Sequence, residues 1–206
     1  MNDKAMFKLS YGLFVISTKL GDKDNGCIIN TAIQAASDPN QMSVSLNKSD
    51  YTHDMIMDAG EFNVSVIAQD ASFELFKRFG FQSGRDVDKY AAYDGFARAT
   101  NGITYVTEGT NAFFSVKVKQ TIDLGSHTMF IGEITDMDVL ADTESATYAY
   151  YHSNIKPKPE ASKGESGKTV WRCIICGYEY EGEELPPDFV CPICKHPASD
   201  FEKVVK

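Results

Sequence analysis

The sequence predicts a mainly β protein in two parts, a larger domain of short strands followed by a small cysteine-rich module. Three observations carry this. Segments with apolar side chains at every second position recur along the first 140 residues. Only two segments have the pattern and end signals of helices. Four of the five cysteines lie after residue 170. Many strands with few helices give a β-barrel or sandwich.

Leu13 to Thr18 reads as the first strand and Gly26 to Ile33 as the second. Gln41 to Leu46 alternates Met42, Val44 and Leu46 against Ser43 and Ser45, the period of a half-buried strand. Glu61 to Ile67 repeats the pattern with Phe62, Val64 and Val66, and Phe113 to Lys119 with Phe114, Val116 and Val118. Thr128 to Leu140 reads as a longer strand or strand pair with Gly132 as a bend or bulge. Tyr51 to Ala59 reads as a helix, capped by Ser49 or Asp50 and ended by Gly60. Ala71 to Phe79 reads as a second, begun by Asp70 and ended by Gly80, with Phe73, Phe76 and Phe79 on one core-facing side.

The 206 residues are 43% hydrophobic and 24% charged, an ordinary globular profile, and the net charge is -9. That balance argues against nucleic acid, whose phosphates demand a basic surface, and against an anionic membrane. The opening MNDKAMFKLS has no apolar core of a signal peptide, and Leu13-Phe14-Val15-Ile16 is too short to span a bilayer. A cytoplasmic location is expected, in which thiols stay reduced and cysteines are metal ligands or free thiols before they are disulfides.

A boundary falls where large apolar residues run out, in Lys156-Pro-Lys-Pro-Glu-Ala-Ser-Lys-Gly-Glu-Ser-Gly-Lys168. The stretch cannot bury enough surface to order itself and reads as a linker. The expected division is 1–155, a linker 156–168, and a module 169–206.

That module carries Cys173-Ile-Ile-Cys176 and Cys191-Pro-Ile-Cys194, fourteen residues apart. Each pair lets two thiolates converge from one tight turn, and two turns make a tetrahedron that selects zinc or an iron-thiolate centre. Glycine after Cys176 frees backbone N–H groups to turn toward sulfur, and Trp171, Tyr178, Tyr180, Phe189 and Phe201 supply a dry shell. The run Trp171-Arg-Cys-x-x-Cys-Gly-Tyr-x-Tyr…Cys-Pro-x-Cys…Phe201 resembles rubredoxin, with the short gap between pairs of the domain fused to rubrerythrins. The resemblance implies iron held by Cys173, Cys176, Cys191 and Cys194. A structural zinc ribbon is the alternative.

A one-electron iron site needs an electron source, and flavin is the usual converter from the two-electron nicotinamides. No G-x-G-x-x-G opens a helix, so a Rossmann domain is not expected. Instead, Asn25-Gly-Cys-Ile-Ile-Asn-Thr-Ala-Ile-Gln-Ala-Ala-Ser-Asp-Pro39, then Met42 to His53, then Leu124-Gly-Ser-His-Thr-Met-Phe-Ile-Gly-Glu133 resemble in order and spacing the flavin reductase-like, FMN-binding split barrels. This resemblance runs from about Phe7 to Tyr151. It implies FMN contacts along Cys27, Ile28, Ile29, Asn30 and Thr31 and along Ser45, Leu46, Asn47 and Lys48. Lys48, the start of the Ser49–Thr52 helical turn and the Thr52 hydroxyl would serve the phosphate. His127 matches the histidine of the family's G-D-H motif near nicotinamide and flavin, with Ser126 in place of the aspartate. His53 and His152 rank after it.

The two halves together resemble the high-molecular-weight rubredoxins, a split β-barrel flavin-binding domain with a small C-terminal rubredoxin-like metal domain. The resemblance implies an NAD(P)H:rubredoxin-type oxidoreductase. Hydride passes from NADH or NADPH to FMN, then single electrons pass to iron and on to a partner, a flavodiiron protein reducing O2 or nitric oxide. A homodimer is expected. Alternatives are a flavin or ferric reductase with structural zinc, a non-enzymatic electron carrier, and a partner-binding module.

Overall fold

A computed structural model describes residues 3–157, 169–173, 178–191 and 197–205. The chain divides into two compact units, Met1–Lys156 and Pro157–Lys206. Most of the expected linker lies outside the described residues.

The first unit is built on β1 (Phe14–Leu20), β2 (Lys23–Ile29), β3 (Ile33–Ser37), β4 (Asn40–Asn47), β5 (Glu61–Ile67), β6 (Phe96–Arg98), β7 (Thr104–Val106), β8 (Thr110–Asp123) and β9 (His127–Val139). Helix α1 (Tyr51–Ala59) follows β4, and helix α2 (Phe73–Gly80) follows β5. A short α-turn, Tyr148–Tyr150, runs into a π-helical turn, Tyr151–Ile155. The described residues form one seven-stranded sheet in the order β2-β1-β5-β8-β9-β4-β3, and β6 pairs with β7 beside it. Every pairing in the large sheet is antiparallel.

The strand order forces closure. β2 and β3 stand at opposite ends of the sheet, yet only residues 30–32 separate them. Those residues span at most about 14 Å when fully extended, so the two ends of the sheet must meet. The interior confirms it, because one apolar cluster draws Ile16, Ile29, Val44, Leu46, Phe62, Val116 and Phe130 from six strands and Ile56 from α1. A second cluster on the outer face packs Val15, Ile67 and Val106 beneath Phe76 and Phe79 of α2 and Tyr151. The barrel is therefore split, joined along one seam by side chains rather than by a strand ladder.

Where sequence and structure differ, the reason is local. The expected strand Gly26 to Ile33 is two strands, because the chain crosses the seam at 30–32. The second helix starts at Phe73 after Ser72, not after Asp70, because Ala71 N–H turns back onto Ala68 O at 3.2 Å. The first helix has the expected bounds, with Asp50 at its start and Gly60 at φ 71° closing it onto Ile56 O. No helix among the described residues is long and apolar enough to cross a membrane.

The second unit contains β10 (Thr169–Cys173), β11 (Glu179–Glu181) and β12 (Phe201–Val205), ordered β11-β10-β12 and antiparallel. Its core is Cys173, Cys191 and Phe201, with Trp171, Tyr178, Tyr180, Leu185 and Phe189 packed against them.

Gly132 lies on β9 opposite the point where β8 slips register between Val118 and Gln120. A Cβ there would stand 2.7 Å from Lys117 O, a main-chain atom that cannot move aside alone. Gly132→Ala should therefore lower unfolding stability by about 1–3 kcal/mol, read as a reduced midpoint in urea denaturation with an unchanged slope.

Candidate functional site

The residues singled out for a flavin come from three stretches of chain, and the sheet brings them to the seam. β2 is an edge strand, so part of its main chain has no strand partner. Its side chains are committed elsewhere. Cys27 and Ile29 point into the barrel core, and Ile28 packs against the outer cluster. What Cys27, Ile28 and Ile29 can offer a ligand is therefore main chain. Asn30 and Thr31 cross the seam half-buried, and the Thr31 hydroxyl donates to Ser45 O at 2.9 Å, stapling the crossing to β4. Leu46 is fully buried, so it too offers only its backbone.

Asn47 pairs with His127 across β4 and β9, and Lys48 N–H donates to Ser126 O at 3.0 Å. The tight turn between β8 and β9, with Gly125 at φ 82°, thus places His127 beside the exit of β4. His127 is half-buried, with Nδ1 2.8 Å from Ser126 Oγ. Lys48 Nζ donates to Asp123 Oδ1 at 2.7 Å.

Helix α1 begins without a side-chain cap, since the Asp50 carboxylate bonds none of the first-turn N–H groups. Such a start is electropositive and has donors to give to an anion. Thr52 is 1% exposed, and its hydroxyl accepts from Asn25 Nδ2 at 3.0 Å. Its side chain faces inward, so its main-chain N–H is what it presents at the helix start. Burial raises the Asp50 carboxyl, an effect that Lys89, His127, His53 and Arg85 oppose. Burial also pushes the Cys27 thiol up to about 12, with Asp50 adding to it, so it is a neutral thiol at physiological pH. This fits a packing role.

Lys89 and Arg85, outside the sequence motifs, and Asn25, at the start of one, complete the corner. Lys89 is 4% exposed and donates to Gly26 O at 2.8 Å and Phe79 O at 3.1 Å, joining β2 to the end of α2. Burial lowers its pKa, while Cys27 and Asp50 pull it back up. Arg85 donates to Ser49 O at 3.2 Å and to Asp54 Oδ2 at 2.6 Å. Asn25 holds Thr52. Arg85 and Lys89 sit in a charged, non-periodic run that reads as solvated surface, so no sequence signal marks them.

In the second unit, Cys173 and Cys191 are both fully buried in the same aromatic cluster. Each stands at the root of a closed loop. Cys173 N–H donates to Tyr178 O at 2.8 Å, and Val190 forms an antiparallel bridge with Pro197. Cys176 and Cys194 fall within those loops in sequence and lie outside the described residues. Two buried thiols at the roots of two closed turns suit a tetrathiolate centre for a soft or borderline metal.

Residues 6–158 match the model of the flavin reductase like domain, and residues 171–202 that of the rubrerythrin, rubredoxin-like domain. The chain is 36% identical to the high molecular weight rubredoxin of Moorella thermoacetica over 99% of its own length and 100% of that protein. It is also 36% identical to the ferric-chelate reductase (NAD(P)H) of Archaeoglobus fulgidus, over 77% of this chain and 93% of the other. Among solved structures, an FMN-binding protein from Thermus thermophilus superposes with a TM-score of 0.58 at 22% identity, covering 64% of this chain and 71% of that one, a likeness of fold. The chain belongs to the flavin reductase like family and, with its rubredoxin-like domain fused behind, to the high-molecular-weight rubredoxins.

Proposed function

We propose that the protein is an NAD(P)H-dependent electron-transfer flavoprotein that passes electrons from FMN through a rubredoxin iron to a partner protein. Its membership supports flavin-mediated electron transfer by an oxidoreductase. The observation that carries the reading is the seam. An edge strand with unpaired main chain, an uncapped helix start and a lysine converge there, and these are the groups that a ring with polar edges and a phosphate dianion require.

In this reading, main-chain groups of Cys27 to Thr31 and of Ser45 to Asn47 bond the isoalloxazine edge. The N–H groups of the Ser49–Thr52 turn, with Lys48, hold the phosphate. Lys48 must then exchange Asp123 for the incoming anion, an exchange of one ion pair for another that costs little at a half-exposed site. His127 borders the place where nicotinamide stacks. Flavin supplies conversion of a two-electron hydride into single electrons, and iron carries those electrons singly. No side-chain acid or base is needed, and the chain's contribution is to align the rings and keep water out. Cys173, Cys176, Cys191 and Cys194 hold the iron inside the shell of Trp171, Tyr178, Tyr180, Phe189 and Phe201.

The acceptor is a redox protein, and a flavodiiron protein reducing O2 or nitric oxide fits a one-electron donor of this kind. The setting is the cytoplasm, in which the thiolates stay reduced. In this reading the working unit is a homodimer. A second reading is a ferric reductase with structural zinc, of which the likeness to the Archaeoglobus reductase favours the reductase activity and not the zinc.

Anaerobic stopped-flow mixing with NADH and with NADPH separates these. Bleaching of the flavin band followed by bleaching of the iron band is expected, whereas flavin reduction with no change at iron defeats the relay. Metal analysis should give one iron per chain, with oxidised iron-thiolate bands beneath those of flavin, whereas zinc with flavin bands alone supports the second reading. Cys191→Ser should remove the iron band and unfold the second unit while leaving flavin bound, since some forty residues have only a marginal core without metal. Lys48→Ala should weaken FMN binding about 3- to 10-fold, measured by flavin fluorescence quenching, with the loss shrinking at high salt.

A further inference from the structure

One buried side chain near the seam has both polar atoms engaged and no part in the mechanism above. His53, the third residue of α1, is 8% exposed and lies edge-to-face on Phe130, with ring centroids 5.6 Å apart. Its Nε2 is 2.9 Å from Thr128 Oγ1 and its Nδ1 is 3.0 Å from Asp54 Oδ1. The other oxygen of Asp54 accepts from Arg85 Nη2 at 2.6 Å, and Arg85 Nη1 donates to Ser49 O at 3.2 Å. The five residues form one unbroken chain of hydrogen bonds.

The polarity of the chain follows from its ends. A carboxylate only accepts, so Nδ1 carries a proton and donates to Asp54, while Nε2 and the Thr128 hydroxyl share the second hydrogen bond. Thr128 is 6% exposed within β9, next to His127, and pairs with Leu46 of β4 on one side and Asp123 of β8 on the other. Thr128, His53 and Asp54 have the connectivity of a nucleophilic triad, but a hydroxyl sealed inside the sheet cannot attack a substrate. The arrangement serves position.

What it positions is the turn between β4 and α1. Asp50 N–H donates to Asn47 O at 3.0 Å, and Arg85 holds the carbonyl of the same Ser49–Asp50 peptide. That peptide is thus gripped on both sides, and the first-turn N–H groups stand in a fixed direction. We propose that His53 is a positioning residue. Through Asp54 and Arg85 on one side and Thr128 on the other, it pre-orients the Ser49–Thr52 turn to receive the flavin phosphate. The inference rests on the reading of that turn as the phosphate site. Pre-orientation raises affinity by removing the ordering that binding otherwise costs.

The test is a double-mutant cycle between the two ends, Thr128→Val and Arg85→Gln, which do not touch each other. FMN affinity of the full chain is measured by fluorescence quenching, with thermal melts to establish folding. Each single variant should weaken FMN binding about 3- to 10-fold, and the double variant should be no weaker than the worse single. Multiplicative losses overturn the proposal, since independent structural contacts add in free energy. Nitrogen-15 NMR of the flavin-free protein supplies a readout that needs no cofactor: Nδ1 of His53 should carry a proton, and a bare Nδ1 overturns the assigned chain. Wild-type protein that binds no FMN overturns the phosphate reading and this proposal with it, and that failure is seen before any substitution is made.

Discussion

Three residues join the two far ends of a seven-stranded sheet, and the rest of the first unit depends on that short crossing. Because 30–32 cannot reach far, β2 must come round to β3 and β4, and the sheet must roll into a barrel. The roll places Ile29 of β2 in one core with Leu46 of β4 and Phe130 of β9, although β2 stands far from both in the sheet order. It also leaves β2 anchored by its side chains while its outer main chain stays open. A binding edge made this way is rigid without being blocked. Lys89, buried against Gly26 O and Phe79 O, takes up one of those open carbonyls and ties the edge to α2.

The charges at the seam bear on how an acidic protein would hold the anion proposed for it. Net charge is -9, yet the corner collects Lys48, Arg85 and Lys89 around an uncapped helix start. Two of these cations already have carboxylate partners, Asp123 for Lys48 and Asp54 for Arg85. The third, buried Lys89, lies within electrostatic reach of the Asp50 carboxyl, so the corner is close to neutral within itself. Lys48–Asp123 is the pair exposed enough to open for a ligand, while Arg85–Asp54 is fastened into the chain that runs through His53. The two ion pairs look alike as charges and differ in what they are attached to.

The second unit solves a different problem, a core too small to stand alone. Its apolar cluster is largely aromatic and is centred on two cysteines with no exposed surface. Each cysteine begins a loop that is closed by backbone, through Cys173 N–H to Tyr178 O and through the Val190–Pro197 bridge. Cys173 and Cys191 are thus held at fixed, buried points, and metal binding in the proposed centre would complete the fold. The same aromatics that make up for the small core keep water from the metal, so folding and redox tuning rest on the same side chains.

Strands β4 and β5 and helix α1 were legible because alternation at period two, and a helix between Asp50 and Gly60, are written into consecutive residues. The cysteine pairs were legible for the same reason, as spacing along the chain. The break at 30–32 was not, because a strand that continues and a strand that crosses a seam have the same local composition, and only the partners on either side differ. Arg85 and Lys89 were invisible because a lysine donating to two buried carbonyls reads no differently from one in solvent. His53 and Thr128, 75 residues apart, meet only when β9 lies beside β4 at the mouth of the barrel. The sequence by itself determined which residues turn and alternate and which cysteines are spaced for a metal, since those properties belong to neighbours along the chain. The tertiary structure alone decided which polar atoms face one another, because that depends on how the sheet closes.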